Sequence, residues 1–583
     1  MGYRLREIDA ESKFSHTLSF DAFAQVLPLE RLTAVLAAEH LQTPCERKLN
    51  LPITMIVTIA LHLYPHLAID DILRKLAQGL RLIWPDPDYA VPGASAVSYR
   101  RAQLGARLLV ALFKQVCQPL ATPATRGAFL FGLRLMAIDG TTEDVPDTPA
   151  NAAAFGRPGS SRSPSAFPQV QGVYLAECGT HGIIDAGFWP CKTSERVGAR
   201  RLLRSVRPGM LLMWDRGFHE FDLLVGVQAR HAQGLGRLPA HVHPEVVATL
   251  PDGTLLAYLY PSDYQRRKQG ERVLVRVISY TITDPHRPGF GETHRLVTTL
   301  LDPELYPALD VVCAYHERWE IELTIDEMQT HQRLAQRTLR SRTPVGVIQE
   351  LYGLLLAHYL IRFLMHQAAV QADLDPDRLS FVRSLRIIQE AVPEFQLVAP
   401  EQRAQLYQRL LRDLARKRLP DRQPRSNPRV VKRKMSNFKL KRPEHAHPPT
   451  LERPFREVVA LQSVVPASDR LPAPPPDESL VLELSPRRTR ADPPCLDVRQ
   501  LELCLISIPT PIMQPWAELQ KGESGPASPP DDKSAQLNSH PACPEAVLLF
   551  RAHIWSHGTM LSGPAHYTAD PPAAHPPAAL RSG

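Results

Sequence analysis

Two short apolar runs each end in a lone aspartate. Asp139 closes the run Leu133–Ile138, and Asp215 closes the run Met210–Trp214. This pattern predicts two buried strands that present a carboxylate at their tips. Glu322 follows much later in the chain, within a helical pattern. Carboxylates alone make an oxygen-only site for hard divalent ions such as Mg²⁺ or Mn²⁺, and a pair of such ions serves phosphodiester chemistry.

The helix that carries Glu322 has polar residues spaced to share one face. At about 100° per residue, Tyr315, Arg318, Glu322 and Gln329 fall within an arc of roughly 60°. An arginine and a tyrosine placed one or two turns before a metal-binding glutamate suit a DNA phosphate. Two alternatives remain open: an ordinary amphipathic helix with a surface Arg–Glu pair, and Asp326 as the metal ligand. Taken singly, the two aspartates could also be turn or strand-end residues.

Charge distribution favours a nucleic-acid partner. The chain has 583 residues, enough for three or four domains, and a formal charge of +8. From Arg412 to Arg442 there are 13 Lys or Arg against two acids. This density, which includes Lys432, Arg433 and Lys434, predicts phosphate contacts, although a solvated basic stretch has the same composition.

The cysteines and apolar runs indicate the cellular compartment of the protein. The eight cysteines form no Cys-x-x-Cys pair, which favours a reducing compartment over a disulfide framework or a zinc knuckle. The N-terminus lacks the apolar core of a signal peptide. Leu51–Tyr64 is short for a membrane span, and Val347–Met365 is interrupted by polar residues. Both are predicted to be buried helices of a cytoplasmic protein without a membrane partner.

The periodicity changes along the chain from helical to α/β. Residues from about 18 to 122 have helical spacing and include a predicted helix at Val97–Gln118. From about 131 the order is strand, strand, strand, helix, strand, helix, which predicts an α/β layer. Residues 236–302 are rich in strand patterns, and helical spacing returns at Tyr306. Beyond Arg442 the chain is rich in proline and is predicted to be disordered.

The spacing of these residues resembles the IS4 family of DDE transposases over about residues 15–442. The signature of that family is Tyr, two residues, Arg, three residues, Glu, six residues, Lys. Tyr315, Arg318 and Glu322 match it, and Gln329 stands where the lysine is expected. Four further segments are similar to sequences of this family: Ile-Asp-Gly-Thr at 138–141, Asp-Arg-Gly-Phe at 215–218, Arg-Lys-Leu-Asn-Leu-Pro at 47–52 and Val-Val-Lys-Arg-Lys-Met at 430–435.

The resemblance implies an α/β, RNase H-like catalytic core with a β-rich insertion, preceded by a small all-α domain and followed by a basic helical segment and a Pro-rich tail. The expected boundaries are 1–125 for a DNA-binding helical domain, 126–235 with 303–375 for the core, 236–302 for the insertion, 376–442 for the basic helical segment and 443–583 for a disordered tail.

The resemblance also implies an activity. Asp139, Asp215 and Glu322 would hold two Mg²⁺ or Mn²⁺ ions and catalyse cut-and-paste transposition. Tyr315, Arg318 and Gln329 would contact DNA. The partners would be double-stranded DNA, at transposon ends and target, and a second copy of the chain in a synaptic homodimer, in the bacterial cytoplasm at the nucleoid. Two alternatives remain: a decayed copy that only binds DNA, and a metal-dependent nuclease without strand transfer.

Overall fold

One mixed β-sheet forms the centre of the structure, which is a computed structural model that describes residues 2–40, 49–86, 88, 91–159, 165–333, 338–419 and 451–462. The strands are β1 (Phe129–Leu130), β2 (Leu133–Asp144), β3 (Gln169–Glu177), β4 (Gly182–Pro190), β5 (Met210–Trp214), β6 (Gln233–Arg237), β7 (Glu245–Thr249), β8 (Leu255–Leu259), β9 (Val273–Ile282), β10 (Thr293–Thr298) and β11 (Val459–Leu461). Their order is β4-β3-β2-β5-β6-β10-β9-β8-β7, with β1 beside β2 and β11 beside β9.

Helices precede the sheet, cover both of its faces and follow it. They are α1 (Phe14–Thr17), α2 (Leu29–Ala38), α3 (Leu51–Ala60), α4 (Ile69–Leu76), α5 (Gln78–Ile83), α6 (Ala94–Leu104), α7 (Arg107–Val116), α8 (Pro149–Phe155), α9 (Glu195–Leu202), α10 (Phe221–Gln228), α11 (Asp263–Arg267), α12 (Ala308–His316), α13 (Trp319–Asp326), α14 (Pro344–Gln371), α15 (Phe381–Leu397) and α16 (Arg403–Ala415). A π-helical turn, Glu327–Gln332, continues α13.

The α/β order predicted from the sequence is confirmed in the part of the sheet that carries the aspartates. β2 pairs with β5 in parallel, from Arg134 with Met210 to Ile138 with Trp214, and β5 pairs with β6 in parallel. β3 and β4 extend the sheet as an antiparallel pair. Because parallel strands align their carboxyl ends, the residues that follow the last β2–β5 pair lie at one edge.

Side chains of β2 alternate between two hydrophobic cores, as a strand requires. Leu135 and Ala137 belong to the core that includes α14, whereas Met136 and Ile138 belong to the core that includes α9 and α10. Both faces are therefore buried, which explains why the run Leu135–Ile138 is continuously apolar rather than alternating.

The N-terminal helical region was predicted correctly, with one difference. The predicted helix Val97–Gln118 is two helices, α6 and α7, because Gly105 between them has φ +64°, a conformation that interrupts a right-handed helix. The region packs on the core through α3 and α14. Gln349 on α14 donates to the backbone oxygens of Arg101 at 2.6 Å and Gly105 at 2.8 Å.

α14 is the longest helix that the structure describes. By length and composition it is apolar enough to cross a membrane, but 89% of its most apolar 18-residue window is buried inside the protein. Because α14 is buried against the sheet and the surrounding helices, it is a core helix of the fold.

The β-rich insertion continues the core sheet instead of forming a sheet of its own. β10 pairs antiparallel with β6, which is the last parallel strand of the core, and β9, β8 and β7 follow outward. The insertion is thus attached by backbone hydrogen bonds to the part of the sheet that carries the two aspartates.

The predicted disordered tail, 443–583, is wrong for residues 451–462. β11 pairs with β9 from Val459 with Ile282 to Leu461 with Tyr280, and Val458 is fully buried. The Phe455 ring stacks on His316 at 4.1 Å between centroids. Prolines flank this short strand without lying in it, so composition hid the pairing. Residues 420–450 and 463–583 lie outside the described residues.

Candidate active site

The two aspartates lie beside each other where β2 and β5 stop pairing. Asp139 follows Ile138, and Asp215 follows Trp214, the residue paired with Ile138 in the β2–β5 ladder. The prediction that Asp139 ends its strand is wrong: β2 continues to Asp144 because these residues still pair with β3, whereas Asp215 does follow the end of β5. Asp139 Oδ1 accepts from Gly140 N at 2.8 Å, and Asp215 Oδ1 accepts from the backbone nitrogens of the next turn, at 2.8 and 3.2 Å. These bonds orient the two carboxylates.

Arg318 connects the third acid to the first. Its Nη2 lies 2.8 Å from Glu322 Oε1 and its Nη1 lies 3.5 Å from Asp139 Oδ2. One guanidinium therefore spans the carboxylates of β2 and α13. The Arg–Glu pair is not an isolated surface pair, because the Arg318 side chain is only 12% exposed and also faces Asp139.

Asp326, the rival for the metal-ligand role, points elsewhere. It is exposed, its Oδ1 accepts from Thr330 Oγ1 at 2.6 Å, and its Oδ2 lies 3.6 Å from His331 Nε2. These contacts run along its own helix, whereas those of Glu322 lead through Arg318 to Asp139. The geometry therefore favours Glu322.

The pKa of Asp139 reflects its burial and its charged neighbours. Burial, the largest cause, and the charges of Asp215 and Glu322 together raise this pKa to about 6, against the Gly140 N–H bond and Arg318, which lower it. The charges of Asp215 and Glu322 therefore act on Asp139. An oxygen-only donor set suits Mg²⁺ or Mn²⁺, but in the residues that the structure describes these three acids are not a group whose ligand atoms all lie within 4.8 Å of one another.

Tyr315 and Arg318 border the acids, but they do not lie on one continuous helix as predicted. Tyr315 lies near the end of α12 and Arg318 immediately precedes α13, since the helix is interrupted after His316. The Arg318 guanidinium lies 5.9 Å from the Tyr315 ring centre. Burial raises the pKa of Tyr315 to about 12, with contributions of opposite sign from Arg318 and Asp215. The phenol therefore stays protonated and can donate.

Gln329 lies in the π-helical turn and is bound to β2. Its Nε2 donates to Thr141 Oγ1 at 3.0 Å and to Glu143 Oε1 at 2.8 Å, and Arg333 also pairs with Glu143. Both amide hydrogens thus have protein acceptors. Lys432, Arg433 and Lys434, also predicted to bind DNA, lie outside the described residues.

A cluster of possible metal ligands joins Glu320 on α13 to His181, between β3 and β4, and to Asp377, between α14 and α15. Ligand atoms of His181, Glu320 and Asp377 are within 4.8 Å of one another. Burial and Arg362 lower the pKa of His181, but Asp377, Glu327 and Glu320 outweigh them and raise it to about 9. His181 Nε2 lies 2.6 Å from Glu320 Oε2 and 3.4 Å from Asp377 Oδ1, so in this structure the cluster is a buried salt-bridge network.

Sequence reasoning missed one acid near the aspartates. Glu195, the first residue of α9, places its carboxylate against the backbone of Gly140, and Gln171 Nε2 donates to its Oε1 at 3.1 Å. The sequence signal was present in Ser194, which caps the helix, and in the glutamate that follows. It was too common a helix start to indicate a site.

Comparison with known proteins matches both regions of the chain. The profile of the transposase DDE domain matches residues 130–360, and that of the insertion element 4 transposase N-terminal domain matches residues 17–114. The transposase InsG of insertion sequence element IS4, from Escherichia coli K12, is 31% identical over 397 residues, which cover 66% of this chain and 86% of InsG.

Two further proteins are similar over smaller parts or at lower identity. InsZ, a proposed transposase of the same strain, is 27% identical over 229 residues, 38% of this chain and 72% of InsZ. A piggyBac transposase in a synaptic complex with hairpin DNA covers 72% of this chain and 86% of its own, at 12% identity and a TM-score of 0.36, too low a likeness to support an argument. The two profile matches and the InsG relative establish that the chain belongs to the IS4 family of DDE transposases, enzymes that cleave DNA and transfer strands.

Proposed function

We propose that this transposase binds the terminal inverted repeats of its insertion sequence and moves the element by cut-and-paste transfer at a two-metal centre. The observation that carries the proposal is the bridge from Asp139 through Arg318 to Glu322, beside Asp215 at the same sheet edge. These three acids come from three separate elements, and a purely structural role would leave their mutual repulsion unexplained.

Asp139, Asp215 and Glu322 would together hold two Mg²⁺ or Mn²⁺ ions. When bound, the ions stabilise charge on the scissile phosphate and activate the attacking oxygen. Water first cuts at the element's end and releases a 3′-hydroxyl, which then attacks the target strand. The protein forms no covalent intermediate, so its contribution is positioning and charge stabilisation.

Arg318 and Tyr315 would orient the end phosphate next to these acids. Arg318 Nη1 is buried and makes no hydrogen bond, although it lies 3.5 Å from Asp139 Oδ2. A phosphate oxygen would satisfy that donor. The Tyr315 hydroxyl is a neutral donor on the same side. The residues Lys432–Lys434 would add contacts to the DNA backbone, and a second copy would hold the second end.

Gln329 supports a second candidate function, a decayed transposase that binds DNA without cutting it. Its amide is held by Thr141 and Glu143, so a contact with the DNA end would require the amide to leave them. The family lysine would bring a charge that glutamine lacks. Binding of terminal repeats without metal-dependent cutting would favour this candidate.

The test is cleavage of terminal-repeat DNA with Mg²⁺, followed by detection of joined products. Alanine at Asp139, Asp215 or Glu322 should reduce cutting to background while DNA binding persists. Asp326→Ala is the matched control on the same helix and should keep activity. Unchanged cutting by Asp139→Ala or Asp215→Ala would refute the site, and cutting without joined products would indicate a nuclease instead.

A further inference from the structure

Residues 451–462 form a C-terminal strap that is anchored on the β-rich insertion. β11 pairs with β9, and Thr283 N, directly after β9, donates to Val458 O at 2.8 Å. Arg287, in the loop between β9 and β10, donates from Nη2 to Arg453 O at 2.7 Å. Val458 is fully buried in the hydrophobic core to which α12 also contributes. The insertion therefore fixes the position of the strap.

The strap also lies along α12. Arg456 pairs with Asp310 in the first turn of this helix. The Phe455 ring stacks on His316, the last residue of the helix, with 4.1 Å between ring centres and 9° between ring planes. Cys313, midway between them, also interacts with Arg456. These three residues of α12 follow one another at steps of three, so they lie on one side of the helix and the strap covers that side from end to end.

The strap is the main packing partner of α12. Among the described residues, the turn Phe455–Val458 and β11 contact this helix more extensively than any other element does. A helix of nine residues depends on such packing, because helices this short are not stable alone. Since the helix is interrupted after His316, α13 does not hold α12 in line. The strap therefore determines where the last turn of α12 lies.

That last turn carries Tyr315 into the active site. The ring centre of Tyr315 lies 5.9 Å from the Arg318 guanidinium, which itself reaches Asp139 at 3.5 Å and Glu322 at 2.8 Å. Successive side chains on a helix point about 100° apart, so a ring that stacks on His316 lies to one side of Tyr315. Phe455 can therefore affect the reaction only through the position of Tyr315.

A simpler role for the strap is to stabilise the fold by adding a strand and burying Val458. The two roles predict different measurements. A strap that only stabilises changes the melting temperature and leaves unchanged the rate at which the folded, DNA-bound enzyme cuts. A strap that positions the end of α12 changes that rate, because small displacements of an orienting group are costly in catalysis.

We propose that Phe455 is a positioning residue for DNA cleavage: it holds the end of α12 so that the Tyr315 hydroxyl lies next to Arg318, where both contact the end phosphate. This inference rests on the proposed function, in which Tyr315 and Arg318 orient that phosphate. It extends the machinery of cleavage to a segment that follows the whole catalytic domain in the sequence.

The test is the single-turnover rate of cleavage of terminal-repeat DNA with Mg²⁺, at saturating enzyme and well below the melting temperature of every variant. Phe455→Ala should cut about tenfold or more slowly, the effect of a small misplacement of an orienting group. Its Kd for the DNA should stay within about twofold of wild type, because many phosphate contacts share the affinity. Phe455→Tyr keeps the ring and should restore the rate.

Two further variants guard against loss of folding and nonspecific effects. Phe455→Leu keeps an apolar side chain but cannot stack, so it should show the same slow cutting if the alanine variant unfolds. Gln462→Ala is the matched control within the strap: it removes a side-chain contact with Thr281 on β9 rather than with α12, and should cut at the wild-type rate. Slow cutting by Gln462→Ala as well would show that the strap acts as a whole on stability and would overturn the proposal.

A double-mutant cycle with Tyr315→Phe tests whether Phe455 acts through Tyr315. Removal of the hydroxyl should slow cutting in the wild-type chain but have little further effect in Phe455→Ala, where the hydroxyl is already displaced. The double variant should therefore be no slower than the slower single variant. Losses that multiply would show that the two residues act independently and would refute the positioning role.

Asp139→Ala separates failure of this proposal from failure of the proposed function. If Asp139→Ala abolishes cutting while the alanine and leucine variants of Phe455 cut within about twofold of wild type, the proposed function stands and the role of Phe455 is refuted. If wild type does not cut terminal-repeat DNA, or Asp139→Ala cuts as well as wild type, the proposed function is refuted, and the role of Phe455 in cleavage with it.

Discussion

Asp139→Asn should stabilise the metal-free protein although it destroys the proposed metal centre. The pKa of Asp139 is raised to about 6, mainly by burial and then by Asp215 and Glu322. An acid whose pKa is higher in the folded state contributes stability below its unfolded value, near 4, and that contribution is lost as the pH rises through about 6. At neutral pH the charged Asp139 therefore opposes folding.

The size of the effect follows from the shift of about two pKa units. Each unit corresponds to about 1.4 kcal/mol, so the wild-type carboxylate costs up to about 3 kcal/mol at pH 7.5. At pH 4.5 most of the folded protein carries a neutral Asp139, and the cost falls to about 1 kcal/mol. Asparagine has the same shape without the charge. The free energy of unfolding of Asp139→Asn should therefore exceed that of wild type by up to about 3 kcal/mol at pH 7.5 and by about 1 kcal/mol at pH 4.5.

The assay is urea unfolding of both proteins in EDTA at pH 7.5 and pH 4.5, with the midpoints and slopes compared. Asp222→Asn, which removes an exposed carboxylate, should leave the free energy of unfolding nearly unchanged at both values. Excess Mn²⁺ at pH 7.5 should make wild type more stable than Asp139→Asn, since a ligand that binds only the folded wild type stabilises it.

One result would refute the reasoning. If Asp139→Asn is as stable as wild type or less stable in EDTA at pH 7.5, then Asp139 is not held charged among the other acids. The inferred convergence of the three carboxylates would lose its electrostatic support.

Four further outcomes are expected. The cleavage rate at limiting Mg²⁺ should fall about tenfold per pH unit below about 6, because Asp139 must lose its proton to bind the ions; a flat profile from pH 5 to 8 would contradict this. A chain that ends at Gln462 should melt as the full chain does, whereas one that ends at Thr450 should melt lower, since it lacks β11 and the stacked Phe455 ring. Alanine at all three positions of 432–434 should reduce the salt dependence of DNA binding by up to about 2.7 in log–log slope, and an unchanged slope would exclude them from the interface. Gln329→Leu should lower the free energy of unfolding by about 1–3 kcal/mol, because it removes a hydrogen-bond donor from the buried Glu143 carboxylate. A loss of binding to the DNA end without a loss of stability would show instead that the amide contacts DNA.

The chemistry-bearing strands could be predicted because their signals are local. A continuous apolar run followed by an acid is typical of a strand with both faces buried, and it located Asp215 after the end of β5. Asp139 lies on the predicted strand but not at its end, because pairing with β3 extends β2 to Asp144. The signals that predicted the helical N-terminal region were equally local. The helix end at Gly105 was missed because it depends on a positive φ angle that helical spacing does not reveal.

Other features depended on partners far away in the chain. The strand β11 has only three residues and is stabilised by β9, about 180 positions earlier, so its own composition suggested a disordered tail. The interruption between Tyr315 and Arg318 likewise left the polar spacing intact while it changed the geometry.

The sequence by itself determined the kinds of element on which Asp139, Asp215 and Glu322 lie and made these acids the candidate metal ligands, because hydrophobic periodicity and residue type are properties of neighbours along the chain. Only the tertiary structure decided that Arg318 spans Asp139 and Glu322 and that Gln329 donates hydrogen bonds to β2. It also decided that the Glu195 carboxylate fills the space where a side chain at position 140 would lie. Apart from the Arg318–Glu322 pair, those contacts join residues from about 50 to nearly 190 positions apart. Their energies arise from burial and charge in the assembled fold, which no local pattern encodes.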